Sequence, residues 1–246
     1  MPSWLRRRSG GGRRPLSSAT EPRILCYITD RKGLGADSGS AEPETARVAR
    51  LTARIRMAIE AGMGWIQIRE KDLSGKELVE LTRATVAAAA GSRTRVIVND
   101  RLDVAVAVGA GGVHLGRESL PVREVVSWRE KEKRARAGLA DFWIGASCHS
   151  LPETRAAADD GADYVIFGPV FETPSKIRFG APLGIERLRE VCSELRIPVL
   201  AIGGVSMANA AKCFESGAAG IAAIRLFQDA ANLDELRGRA EALRQL

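Results

Sequence analysis

The stretch RVIVNDRLDVAVAVGAGGVHLG, residues 95–116, contains a complete strand–helix–strand unit. RVIVND (95–100) and GVHLG (112–116) are short, mainly apolar runs rich in β-branched residues, which is typical of buried strands. Between them, DVAVAVGA (103–110) is long enough for a short helix. This order predicts two parallel strands that are connected by a crossover helix.

The same alternation continues on both sides of this unit. Apolar runs of strand length recur, and each is followed by a stretch whose apolar residues have helical spacing. Eight such pairs in a chain of 246 residues predict an α/β fold, a closed (β/α)8 TIM barrel in a single domain. An open, doubly wound sheet is the alternative, but the first strand-to-helix turn lacks the G-x-G-x-x-G motif of that fold. The predicted strands are residues 24–30, 65–70, 95–100, 112–116, 142–148, 164–171, 198–205 and 220–227.

Several of the predicted helices carry local start signals. Ser74 with Glu77 three residues later forms a capping box, and Pro121 suits the first turn of a helix. Ser206 is the expected cap of the helix that follows the seventh strand. The predicted helices are residues 44–62, 74–90, 103–110, 121–137, 151–161, 184–195, 206–218 and 232–246.

Residues 1–22 differ in composition from the rest of the chain. They are rich in Arg, Gly, Ser and Pro, and they contain no Asp or Glu before Glu21. Their five arginines account for most of the net charge of +7. Such a segment has too few apolar residues to fold alone, which predicts a disordered basic N-terminal extension; an organelle transit peptide is a second interpretation. The barrel is then predicted to cover residues 23–246, and its nearly neutral charge argues against nucleic-acid binding.

The cysteines and the hydropathy of the chain indicate the compartment. Cys26, Cys148, Cys192 and Cys213 are widely spaced and form no C-x-x-C pair, which favours buried thiols in a reducing compartment over a disulfide framework or a zinc site. The sequence contains no run of 18 apolar residues that would predict a membrane span. We therefore expect a cytoplasmic protein.

Polar residues recur where the predicted strands end. The active sites of such barrels lie at the carboxyl ends of the strands, so these side chains are expected to meet at one rim. A turn or a helix cap explains any one of them, but seven strands that end in this way favour a functional site. The rim residues are Thr29, Asp30, Gln67, Arg69, Lys71, Asn99, Asp100, His114, Gly116, Ser147, His149, Thr173, Ser175, Lys176, Gly203 and Gly204.

The residue types at this rim suit an anion. Arg69 can bind a phosphate through two N–H groups, whereas Lys71 and Lys176 supply point charges. Asp100 is an oxygen ligand suited to Mg²⁺, and Asn99 can donate a hydrogen bond to a phosphate oxygen.

A second anion region is predicted after the seventh strand. Gly203 and Gly204 allow backbone N–H groups to approach a ligand closely, and barrels often bind phosphate by the loops after strands 7 and 8. Together the two regions would fit two phosphorylated substrates or one bisphosphate.

Seven motifs resemble those of the thiamine phosphate synthase family and span roughly residues 24–230. They are QIREKD, VNDRLDVA, GVHLG, IGASCH, GADYVIFGPVFETPSK, APLGIERL and PVLAIGGV. The resemblance implies a (β/α)8 barrel and a transferase that joins hydroxymethylpyrimidine diphosphate to a thiazole phosphate. It also implies Mg²⁺ as cofactor and pyrophosphate as the second product, and it leaves open whether the barrel is a homo-oligomer.

The resemblance further implies roles for individual residues. Asp100 is the expected Mg²⁺ ligand, Ser147 the serine near the reacting centre, and Gly203 and Gly204 the thiazole phosphate site. Arg69, Lys71 and Lys176 are expected to stabilise charge on departing pyrophosphate while the thiazole nitrogen attacks a pyrimidine methyl cation, without a protein nucleophile. Contacts to the diphosphate are implied for Gln67, Arg69, Lys71, Asn99, Thr173, Ser175 and Lys176.

Two positions depart from the family pattern, and two other functions stay open. Ser119 stands where the family usually has a second metal-binding Asp, and Arg225 stands where it usually has a small residue. A related thiazole tautomerase branch shares CHSL and VFET, and there a histidine at the position of His149 transfers protons. The alternatives are therefore this isomerase or a non-catalytic barrel that binds thiamine precursors. His149 is expected either to form a rim hydrogen bond or to act as acid and base, and His114 to pack inside the barrel.

Overall fold

The computed structural model describes residues 23–35, 43–173 and 181–246. Eight parallel strands form a closed barrel in which each strand pairs with the next along the chain and β8 pairs with β1. This architecture confirms the predicted (β/α)8 fold. The strands are β1 Ile24–Ile28, β2 Trp65–Ile68, β3 Arg95–Asn99, β4 Gly112–Leu115, β5 Trp143–Cys148, β6 Tyr164–Phe167, β7 Val199–Ile202 and β8 Gly220–Ala223.

Helices surround the barrel, and each predicted helix overlaps one of them. A 3₁₀ turn at Ala137–Asp141 follows the fourth helix, which ends earlier than predicted, at Glu132. The helices are α1 Glu44–Glu60, α2 Gly75–Ala89, α3 Leu102–Ala107, α4 Val122–Glu132, α5 Leu151–Asp159, α6 Gly184–Glu194, α7 Ala210–Glu215, α8 Arg225–Gln228 and α9 Leu233–Gln245.

Three predicted strands are too long by four residues each, because β6, β7 and β8 have four residues where eight were predicted. The run 220–227 contains β8 only as far as Ala223, and the short helix α8 begins at Arg225. Leu226 and Phe227 are buried on this helix, so the apolar run continues although the strand has ended. An apolar run alone does not distinguish a strand from a buried helix. Likewise β6 ends at Phe167, before the Gly168–Pro169 pair.

The capping predictions have opposite outcomes. Ser74 accepts a hydrogen bond from the backbone N–H of Glu77, whose carboxylate accepts from the Ser74 N–H, so the capping box is confirmed. The prediction for Ser206 is wrong, because α7 begins at Ala210 with Asn209 at its cap position. Ser206 instead donates its backbone N–H to the Asn209 side chain, at 2.8 Å.

The interior of the barrel is filled by large side chains at its amino-terminal end. Trp65 and Tyr164 meet edge to face with ring centroids 4.7 Å apart, and Trp143 lies against both. Gly145 makes room for this layer, since a Cβ atom there would lie 2.0 Å from the Tyr164 ring. This packing leaves the carboxyl ends of the strands as the open mouth of the barrel.

The remaining predictions concern the cysteines, membrane spans and the N-terminal segment. All four cysteines are free thiols; Cys192 is half-buried and the others are buried. Within the described ranges, no helix has the length and apolar character needed to cross a bilayer. The predicted basic extension, residues 1–22, lies outside the described residues, as do Ser175 and Lys176.

Candidate active site

The segment that leaves β2 points its polar side chains in two directions. Gln67 is buried in the barrel, where its amide donates to the Asn99 side chain at 3.1 Å. Arg69 follows on the same side, and its charge acts on the buried His114 ring. The backbone N–H of Arg69 donates to the Thr29 hydroxyl at 2.9 Å, which fixes the segment against the end of β1.

The intervening acidic residues turn to Arg31, a residue that the sequence did not single out. Arg31 is only 3% exposed and contacts the carboxylates of Glu44, Glu70 and Asp72. Its two terminal nitrogens donate to the two oxygens of Asp72, at 2.7 and 2.9 Å. These hydrogen bonds hold the pKa of Asp72 well below its usual range. Arg31, together with Lys32 on Asp72, therefore provides the cationic partners of the two acidic residues in the QIREKD motif.

Arg69 and Lys71 are left without a carboxylate partner among the described residues. Arg69 is half-buried and Lys71 is exposed at the rim. Cations at the rim of a barrel without a counter-ion create a positive potential there. This arrangement favours the binding of an anion such as a diphosphate.

Gln67 also brings an acceptor into the barrel mouth. Its side-chain oxygen is buried and has no hydrogen-bond partner within the described ranges. A buried acceptor without a donor is unfavourable, so this atom is suited to an N–H group of a ligand.

Asp100 occupies a strained position at the end of β3. Among the described residues it is the one non-glycine with positive φ, at 67°. Its backbone N–H donates to the His114 carbonyl at 2.8 Å, and its carboxylate is exposed without a salt bridge in this part of the structure. Strain of this kind is frequent at functional sites.

The donor set around Asp100 fits Mg²⁺ only with help from a substrate. The described residues contain no group of three or more His, Cys, Asp or Glu side chains that could hold a metal ion. Ser119 accepts a hydrogen bond from the Gly116 N–H at 2.7 Å, so its oxygen closes the turn after β4. Mg²⁺ commonly binds through one or two carboxylates, water and substrate phosphates, and Asp100 can supply one carboxylate.

Ser147 meets a buried hydrogen-bond chain at the end of β5. Its Oγ lies 2.8 Å from His114 Nε2, and His114 Nδ1 lies 3.2 Å from the Tyr164 hydroxyl. Burial, with a smaller effect from Arg69, lowers the pKa of His114 to about 3, so the ring is neutral at pH 7. The prediction of a packed barrel histidine is confirmed, whereas its contact with Ser147 was not predicted.

His149 forms the rim hydrogen bond that the sequence allowed. The ring is exposed, and its Nδ1–H donates to the Gly168 carbonyl, while Nε2 has no hydrogen-bond partner among the residues that the structure describes. The backbone N–H of His149 donates to the Glu153 carboxylate at 2.7 Å. A role in proton transfer stays a prediction.

The glycine pair after β7 packs tightly against the loop after β6. Gly203 and Gly204 have φ of 94° and 63°. A Cβ on Gly203 would lie 2.5 Å from Pro169 Cβ, and one on Gly204 would lie 2.3 Å from the Glu172 carbonyl oxygen. Part of the glycine requirement is therefore structural, and the phosphate contact stays a prediction.

The other predicted positions lie around this loop. Thr173 is half-buried and is the last described residue before the gap that contains Ser175 and Lys176. Arg225 is exposed at the first position of α8, on the rim beyond β8.

A comparison with protein-family models identifies the same family as the sequence motifs. The model described as thiamine monophosphate synthase matches residues 41–227. This range includes every residue to which the resemblance assigns a role, together with Tyr164, whereas the rim residues Thr29 and Asp30 precede it.

Individual relatives agree with the family model. The chain is 37% identical over 223 residues to a thiamine-phosphate synthase of Chloroflexus aurantiacus, covering 90% of this chain and 95% of that one. It is 35% identical over 204 residues to a thiamine-phosphate synthase of a Roseiflexus species, covering 82% and 76%. The solved structure of a thiamine phosphate pyrophosphorylase from Pyrococcus furiosus matches with a TM-score of 0.69 and 32% identity, covering 89% of this chain and 96% of that one.

Proposed function

The chain belongs to the thiamine monophosphate synthase family, and we propose from this that its barrel mouth joins hydroxymethylpyrimidine diphosphate to thiazole phosphate. The products are thiamine phosphate and pyrophosphate, which makes the protein a transferase of thiamine biosynthesis. The observation that carries the proposal is a pair of cations, Arg69 and Lys71, that have no carboxylate partner among the described residues. They follow β2, the neighbour of β3, after which the exposed Asp100 carboxylate lies.

The protein's main task in this reaction is to stabilise the leaving group. The bond between the pyrimidine methylene carbon and the diphosphate oxygen breaks, and both electrons leave with pyrophosphate. Arg69 can donate two parallel N–H bonds to this growing charge, while Lys71 adds a point charge. Lys176 is proposed to add a further cation from the loop after β6.

Asp100 is the residue proposed to hold Mg²⁺, with substrate phosphate oxygens and water as the other ligands. A bound Mg²⁺ would neutralise charge on the diphosphate and favour its departure. Asn99 lies next to Asp100 and is proposed to contact the same diphosphate.

The second half of the reaction needs no protein nucleophile or base. The thiazole nitrogen supplies the electron pair for the new C–N bond, and it carries no proton that must be removed. Gln67 was expected to contact the diphosphate. Because its buried oxygen has no donor among the described residues and cannot donate to a phosphate, we propose that it orients the pyrimidine end of the substrate instead. Ser147 is proposed to donate to the diphosphate. Gly203 and Gly204 are proposed to receive the thiazole phosphate, and Thr173 and Ser175 to close over the diphosphate.

Lys71→Met tests the cationic site. We expect its turnover to fall about 100-fold, because an interaction that grows in the transition state is lost. The matched control is Lys76→Met, which removes an exposed lysine on α2 and should leave turnover unchanged. Thiamine phosphate formation, followed after oxidation to a fluorescent thiochrome, measures both variants. Equal turnover of the two variants would remove Lys71 from the mechanism.

His149 favours a second candidate function, the thiazole tautomerase. Its Nε2 at the rim is able to move a proton. An isomerase would need His149 but neither Lys71 nor Mg²⁺, so His149→Gln separates the two functions. Loss of isomerisation with retained synthase turnover would assign His149 to the second activity.

A reducing compartment such as the cytoplasm is the proposed location, because it suits four free thiols. The two phosphorylated precursors are the proposed partners.

A further inference from the structure

Three residues form a row below the barrel mouth. His114 on β4, Gly145 on β5 and Tyr164 on β6 are register partners across the neighbouring strands. Because Gly145 has no side chain, the Tyr164 ring occupies its space and brings the phenol oxygen within 3.2 Å of His114 Nδ1. Ser147, two residues after Gly145, contacts the other ring nitrogen at 2.8 Å.

The buried Tyr164 hydroxyl has one place to donate its proton. Tyr164 is 1% exposed and is surrounded by the rings of Trp65 and Trp143. Within residues 23–35, 43–173 and 181–246, its hydroxyl has a hydrogen bond only to His114 Nδ1. A buried O–H without an acceptor is unfavourable, so Tyr164 must donate and Nδ1 must accept.

We propose that Tyr164 and His114 are positioning residues that direct the Ser147 hydroxyl hydrogen into the active site. With Nδ1 as acceptor, the neutral ring carries its proton on Nε2, which donates to Ser147 Oγ. The Ser147 O–H then points away from His114 and can donate to a diphosphate oxygen. This last step rests on the proposed function.

The opposite direction of the hydrogen bonds from Tyr164 through His114 to Ser147 is unfavourable at both Tyr164 and Ser147. Ser147 would donate to Nε2 and Nδ1–H to Tyr164, which would leave the phenol proton buried without an acceptor. The lone pairs of Ser147 would then face the anion. Both directions contain a neutral imidazole and a protonated phenol, since burial lowers the pKa of His114 and raises that of Tyr164. The acceptor that the buried phenol proton needs is what distinguishes them.

The tautomer of His114 tests this direction without any assay of turnover. The chain contains two histidines, so selective ¹⁵N-histidine labelling gives two rings, and His149→Gln identifies the signals of His114. We expect Nε2 of His114 to be protonated and Nδ1 to be unprotonated at pH 7. A proton on Nδ1 would overturn the proposal. A protein without synthase turnover but with the expected tautomer would refute the proposed function and still support the hydrogen-bond direction.

Kinetic measurements test whether Tyr164 and His114 affect turnover through Ser147. We expect Tyr164→Phe to lower kcat about tenfold with little change in either KM, because the hydroxyl no longer selects the tautomer. The same change in a Ser147→Ala background should have no further effect. Equal losses in the two backgrounds would overturn the proposal.

Tyr27→Phe is the matched control, since it removes the other buried tyrosine hydroxyl of the chain. This hydroxyl donates to Gln228 at 2.9 Å, away from Ser147. We expect its kcat to match that of the wild type; a tenfold loss here as well would show that removal of any buried hydroxyl lowers kcat, and would overturn the specific role of Tyr164.

Discussion

Asp100 illustrates how a single residue combines strain with exposure. Its φ of 67° is unfavourable for a side chain with a Cβ, yet the fold holds it through the hydrogen bond to the His114 carbonyl. The result is an exposed carboxylate at the end of β3, close in sequence to Asn99. In our proposal this geometry is maintained because the carboxylate binds Mg²⁺ together with the diphosphate.

Asp100→Asn should raise the Mg²⁺ concentration needed for half-maximal turnover by at least about tenfold, because a neutral amide is a weaker ligand for a hard cation. Asp103→Asn is the control, as the Asp103 carboxylate pairs with Arg101 and is exposed. Titration of initial rates with Mg²⁺ measures both variants. An unchanged Mg²⁺ requirement in Asp100→Asn would exclude Asp100 as the ligand.

At the scale of elements, Arg31 connects the ends of β1 and β2. Its partners Glu70 and Asp72 lie 39 and 41 residues away in the chain, so the ion pairs hold two neighbouring loops together. This contact fixes the QIREKD segment, which contains Arg69 and Lys71, at the rim of the barrel. The acidic residues of the motif, Glu70 and Asp72, thus help to fix the backbone that carries its basic residues, Arg69 and Lys71.

Asp72 should make the stability of the fold depend on pH. Because its pKa is lower in the folded than in the unfolded chain, the unfolded chain takes up a proton first as the pH falls. Asp72→Asn is therefore expected to be less stable than the wild type at pH 7. The difference should begin to shrink below about pH 4, the pKa of the unfolded chain, and should be lost only as the pH falls through the lower pKa of the folded chain. Urea unfolding measures the free energies. A difference that persists at low pH would show that charge is not its cause.

The β7 loop should tolerate no side chain at Gly203. Gly203→Ala places a Cβ against Pro169 at a φ of 94°, and we expect a loss of about 1–3 kcal/mol in the free energy of unfolding. Gly238→Ala is the contrasting control, because Gly238 lies within α9 with open space around its Cα, and alanine favours helix by up to about 1 kcal/mol. If both variants unfold at the same urea concentration, loop packing is not what requires Gly203.

At the scale of the whole molecule, the barrel was predictable because its signals are local. Each strand is an apolar run bounded by turn residues, as in residues 95–100, and each helix has its own spacing. The length of β8 was not predictable, because the apolar run continues through Leu226 and Phe227 on a helix.

The rim was predictable for a similar reason, since the carboxyl ends of parallel strands meet at one end of a barrel. The contacts made by Arg31 and Tyr164 were not, because they join residues from different elements whose proximity only the closed barrel creates. His114 and Ser147 are 33 residues apart in the chain, and nothing local to either indicates the other.

The most direct test of the central claim is a turnover measurement on the wild-type chain. Purified protein is mixed with hydroxymethylpyrimidine diphosphate, thiazole phosphate and Mg²⁺, and thiamine phosphate and pyrophosphate are quantified together. We predict equimolar formation of the two products that depends on both substrates and on Mg²⁺. Absence of thiamine phosphate under these conditions, from folded protein, would contradict the assignment of this barrel as a synthase.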